Sequence, residues 1–167
     1  CNDFIDGEMP REIKKAAAGL RHSGGHMVGI GIKQPCPSTK SWMYFPESNC
    51  PFYRVTYLSN YSPYMTPDKD THYSLLTETS YSEFKPVDRN TIVEETIQGL
   101  INAGLLKEED RRDIIDTWHY EADYSYPTPS VERDDILAKV IPYLESYDIY
   151  SRGRFGMWKY EVSNTDH

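Results

Sequence analysis

Hydrophobic positions along this chain keep two different rhythms. In "HMVGIGI" every second residue is apolar, with Val28, Ile30 and Ile32 on one side, the period of a half-buried strand. "SWMYF" and "FYRVTYLSNY" are rich in aromatic and β-branched residues and predict two more strands, joined by the loop "PESNCP". A proline- and charge-rich loop, "SPYMTPDKDTH", leads to a fourth strand, "YSLLTETSY". In "DIIDTWHYEADYSY", Ile114, Trp118, Tyr120, Tyr124 and Tyr126 share one parity, which predicts a long strand.

Elsewhere the period is helical. "PREIKKAAAGL" predicts a short helix with Pro10 at its first position. In "NTIVEETIQGLINAGLL", Ile92, Val93, Ile97, Leu100, Ile101 and Leu105 form one stripe. Thr91 with Glu94 has the spacing of a capping box, and Gly104 marks the stop. "SVERDDILAKVIPYLESY" predicts a last helix capped by Ser130, with Ile136, Leu137, Val140, Ile141 and Leu144 buried and Pro142 breaking or kinking it. Strands follow one another without intervening helices, so the expected architecture is α+β: an antiparallel sheet with helices packed against it, in a single domain over 1–167.

Composition narrows the function classes. A net charge of -8 argues against broad nucleic-acid binding, which needs a positive field. No apolar run approaches the roughly 20 residues that span a bilayer. The opening "CNDFIDGEMP" has neither the basic nor the apolar region of a signal peptide, and it lacks an initiator Met, so a fragment in the cytoplasm is expected. Three cysteines without CxxC spacing suggest a reducing compartment and no disulfide framework. Asn60-Tyr61-Ser62 matches a glycosylation sequon, a tripeptide that also arises by chance. Fourteen tyrosines stand out; most suit half-buried strands, but a phenol is also a good donor to sugars and phosphates.

Recognised chemical motifs are few. "GIG" at Gly29 to Gly31 lacks the third glycine and the following helix of a dinucleotide fingerprint. Five histidines show no paired ligand spacing, so no metal is expected. Two stretches remain. "SWMYFPESNCPFYR" sets Arg54 and its tyrosines where a guanidinium fork and phenols could grip phosphate; the plain alternative pairs Arg54 with a carboxylate such as Glu47. "RGRFGMWKY" puts Arg154, Gly156, Trp158 and Tyr160 on one parity, either a site for a flat anionic ligand or an ordinary glycine-containing edge strand.

The runs "WMYFPESNCPFYRVTYLSNYSP", "YSYPTPSVERD" and "IYSRGRFGMWKYEVSNTDH" resemble the UDP-galactopyranose mutases, eukaryotic-type and bacterial, within the amine-oxidase-like FAD proteins. The resemblance runs from about Pro10 to His167, but the Rossmann GxGxxG of such enzymes is absent from this sequence. It implies the sheet and substrate part of a larger flavoprotein. Alone, that part is expected to be inactive and to retain FAD poorly.

The resemblance also implies a reaction and roles. UDP-galactopyranose would be converted to UDP-galactofuranose for surface polysaccharide such as LPS. Reduced FAD, not a side chain, would serve as nucleophile. Arg54 would clamp the diphosphate, with Tyr44, Tyr126 and Tyr160 as phenolic donors. Trp42 and Asn164 would lie near the sugar, and Arg154 and Gly153 would face the flavin. The implied partner is a UDP-sugar, with no nucleic acid, no membrane span and room for a homo-oligomer. Two alternatives stay open: an FAD-dependent oxidoreductase of the amine-oxidase type with another substrate, and a free-standing sugar-nucleotide binding module. An amine oxidase has no need of a diphosphate clamp, which favours the mutase.

Overall fold

The computed structural model describes residues 9–162. They form two compact units, one of residues 24–123 and one of residues 9–23 with 124–162. Strands β1 (His22–Ile32), β2 (Trp42–Tyr44), β3 (Arg54–Tyr57), β4 (Tyr73–Tyr81) and β5 (Ile114–Pro127) make one sheet in the order β2-β3-β4-β1-β5. The β2–β3, β3–β4 and β4–β1 pairs are antiparallel. The helices are α1 (Arg11–Ala17), α2 (Ile92–Asn102), α3 (Arg133–Glu145) and the single turn α4 (Gly153–Gly156). None is long and apolar enough to cross a membrane. The α+β architecture with an antiparallel sheet is therefore the one the alternation predicts.

Within residues 24–123, one sheet face meets α2. Register places Met43, Val55, Thr77 and Val28 side by side across four strands. Val28, Val55 and Leu75 are fully buried there with Ile92 and Leu100 of α2. Because side chains alternate, the next row, Tyr44, Arg54, Glu78 and Met27, projects from the other face. The core thus presents the Arg54 row away from itself.

Within the other unit, α1 packs on α3. Met9, Val140 and Leu144 are buried there, with Ile13, Ala16 and Ile136 against them. Ile136 and Ile141 are only half-buried, short of the full burial expected of them.

Several local expectations are corrected. Thr91 forms no capping box with Glu94; its hydroxyl donates to Glu95 Oε1 at 2.6 Å. The turn is started instead by Asp88, whose carbonyl accepts from Thr91 and Ile92 and whose carboxylate accepts from the Asn90 N–H. Ser130 does not cap α3, which begins after Glu132; only its backbone carbonyl takes part, accepting from Arg133. Pro142 does not end α3. It and Ala138 lie on the exposed face, where water can reach the carbonyl that loses its N–H partner. Residues Leu58–Asn60, expected in a strand, form a 3-10 turn.

Candidate functional site

In residues 24–123, Arg54 opens β3 directly across from Tyr44 on β2 and from Glu78 on β4. Its guanidinium is held by Glu78 Oε1, with Nε at 2.8 Å and Nη2 also bonded, while Tyr53 Oη donates to Oε2 at 2.7 Å. The carboxylate beside Arg54 is therefore Glu78, not the Glu47 of the plain alternative. Glu78 is 9% exposed and so largely withdrawn from water, while the Arg54 side chain stays 27% exposed. The Arg54 Cζ lies 6.0 Å from the Tyr44 ring centroid. Tyr44 itself is 62% exposed and Trp42 53%. An oriented guanidinium beside an exposed phenol and an exposed indole suits a ligand with a phosphate and a flat or ring-shaped part. Nothing in the local pattern pointed to Glu78; the signal was its register opposite Arg54, which needs the strand pairing.

The second group of expected residues lies in the other unit. Tyr126, near the end of β5, stacks on Tyr160 with centroids 5.4 Å apart. The Arg154 Cζ sits 4.7 Å from the Tyr126 centroid and 5.8 Å from that of Tyr160. Arg154 Nε donates to the Glu161 carbonyl at 2.7 Å. The structure thus unites Arg154, Tyr126 and Tyr160, as it unites Arg54 and Tyr44. Asn164 lies outside the described residues.

The closing segment is not the edge strand that its parity suggested. Gly153 has φ 80°, outside extended backbone for an L residue, and starts the α4 turn. Met157 N–H then donates to the Gly153 carbonyl and Lys159 N–H to that of Arg154. Arg133, which the residue pattern had not singled out, fastens this turn: its Nε reaches the Trp158 carbonyl at 2.7 Å and its Nη2 that of Met157 at 2.6 Å. Trp158 Nε1 donates in turn to the Arg21 carbonyl at 2.8 Å. Among the described residues, no cluster of three or more His, Cys, Asp or Glu could hold a metal ion.

Comparison with solved structures identifies the relationship. A crystal structure of a reduced UDP-galactopyranose mutase matches at TM-score 0.81 and 43% identity over 87% of this chain. The chain resembles one region of that mutase in both sequence and fold. It spans 31% of the mutase's length. A protein from Exiguobacterium sp. 255-15, provisionally named a protoporphyrinogen oxidase, matches at TM-score 0.62 and 14% identity over 82% of this chain and 31% of its own. That second likeness is one of fold alone. No protein-family model matches the chain.

Proposed function

We propose that the protein carrying this chain is an FAD-dependent UDP-galactopyranose mutase that converts UDP-galactopyranose to UDP-galactofuranose. The observation that carries this reading is the 43% identity to a UDP-galactopyranose mutase across 87% of the chain. The oxidoreductase alternative has only a 14% likeness of fold behind it.

The residues fit the chemistry. Arg54 and the phenols of Tyr44, Tyr126 and Tyr160 bind the diphosphate, whose charge grows as the sugar leaves. The Trp42 indole offers a face to the sugar. Gly153 and Arg154 fit a flavin: a bare Cα and a planar cation already stacked over aromatic rings suit a flat, electron-rich ring system. Bound in its reduced form, FAD supplies the nucleophile. The side chains bind, orient and exclude water; none is assigned a covalent role.

Assay of the reduced protein for conversion of UDP-galactopyranose to UDP-galactofuranose, and for the reverse reaction, tests the reading directly. Turnover without net oxidation is expected. Flavin reduction by an amine, with no sugar conversion, would overturn it in favour of an oxidoreductase.

A further inference from the structure

We infer that Asn60 is a positioning residue for Trp42 and Tyr44. The inference rests on the proposed role of those two side chains in binding a UDP-sugar. Both stand on β2, which has only three residues and pairs only with β3. With 53% and 62% of their surfaces exposed, they gain little packing of their own. The segment that leads into β2 has no regular structure from residue 35 to residue 41. Something must therefore hold that segment if Trp42 and Tyr44 are to meet a ligand in one place.

Asn60 does so. It closes the 3-10 turn Leu58–Asn60 that follows β3, and its side-chain Nδ2 donates to two carbonyls of the segment, Ser38 at 2.8 Å and Lys40 at 2.7 Å. Its Oδ1 lies 3.7 Å from Cys36 Sγ, whose single hydrogen has the nearer Ser38 carbonyl at 3.2 Å as acceptor. The backbone adds a further tie, Tyr57 N–H to the Ser41 carbonyl at 2.8 Å. The next residue, Tyr61, lies beside Trp42, with ring centroids 6.4 Å apart. One amide thus spans two carbonyls of the segment that leads into β2, and its neighbour packs beside the indole. Both donors of Asn60 serve this clamp, which gives the sequon asparagine a structural use.

The test measures UDP affinity by calorimetry in the protein that carries this chain. Asn60→Asp keeps the shape but replaces Nδ2, and with it both N–H donors, by an oxygen that repels the Ser38 and Lys40 carbonyls. It is expected to weaken UDP binding about tenfold, with Asn60→Gln, which keeps the amide, in between. Ser62→Ala destroys the same sequon but leaves Asn60 intact, and is expected to bind UDP like the parent. The decisive arm is a Trp42→Ala/Tyr44→Ala background, in which Asn60→Asp should have no further effect. Equal loss in that background, or unchanged affinity in Asn60→Asp, overturns the inference. If Trp42→Ala/Tyr44→Ala itself leaves UDP affinity unchanged, the assignment of those residues to the substrate fails first, and the inference falls with it.

Discussion

His26 Nδ1 and His119 Nε2 lie 2.9 Å apart, joined by a single hydrogen bond. His26 is 1% exposed, and the Tyr81 ring packs 4.8 Å from its own. Burial lowers the His26 pKa; His119 and Arg89 push the same way, and Glu121 opposes them. The unfolded chain therefore takes up the proton first as pH drops below about 6.5. Stability is fully present above that value and declines as pH falls towards the lower folded value. Urea midpoints between pH 7.5 and 5.5 should decrease for the parent chain and change less for His26→Gln. Equal slopes would show that this histidine does not set the dependence.

Arg54 and Glu78 are expected to depend on each other for stability, because each is the other's ionic partner. Arg54→Ala would leave Glu78, 9% exposed, with Tyr53 still donating to Oε2 but without the guanidinium that holds Oε1. Stranding a buried polar group costs about 1–3 kcal/mol. Thermal or urea unfolding should show that loss, and a second change, Glu78→Gln, should recover most of it. Arg54→Lys keeps the charge but not the fork, so UDP affinity in the protein that carries this chain should fall only part of the way. A fully stable Arg54→Ala would mean that the carboxylate relaxes into water.

Gly99 sets how closely α2 approaches the loop before β3. A Cβ there would come within 2.6 Å of Pro51 Cδ, 3.0 Å of Cys50 Cβ and 3.1 Å of Phe52 Cε1. Phe52 is 2% exposed and cannot swing out without opening the core. Although Ala is the better helix former, Gly99→Ala should destabilise the chain by about 1–3 kcal/mol through overpacking. A raised melting temperature would show that the loop yields instead.

The fold was legible where one face of an element is buried. Val28, Ile30 and Ile32 announce β1, and the Ile92 to Leu100 stripe announces α2, because burial imposes a period on them. Where another contact supplies the constraint, the pattern misled. Parity made "RGRFGMWKY" a strand, but the positive φ of Gly153 and the grip of Arg133 on two carbonyls make it a turn. Thr91 looked like a cap because spacing cannot reveal that Asp88 already starts the turn. Arg54 and Tyr44 were singled out, together with Tyr126 and Tyr160, through the resemblance, and β2 and β3 set the first two side by side. Glu78 was not, since a partner 24 residues away becomes a neighbour only once β3 and β4 are in register.

Tyr126 and Tyr160 have two separable properties, their rings and their phenols. The rings stack 5.4 Å apart beneath Arg154, whose guanidinium also bonds the Glu161 carbonyl. Arg154→Lys removes the planar cation and should cost about 0.5–1 kcal/mol from the stack. Tyr160→Ala removes one ring and should cost at least as much. Tyr126→Phe and Tyr160→Phe keep both rings and should leave the unfolding midpoint nearly unchanged. If the phenols are phosphate donors, the same two Phe variants should each lower UDP affinity roughly ten- to a hundredfold in the protein that carries this chain, since a hydrogen bond to a charged group contributes roughly 1.5–3 kcal/mol. Stability by urea titration and affinity by calorimetry, read on one set of variants, separate the two properties. Phe variants that bind UDP like the parent, beside an unstable Tyr160→Ala, would leave these tyrosines as packing for Arg154 and place the diphosphate contacts on Arg54 and Tyr44.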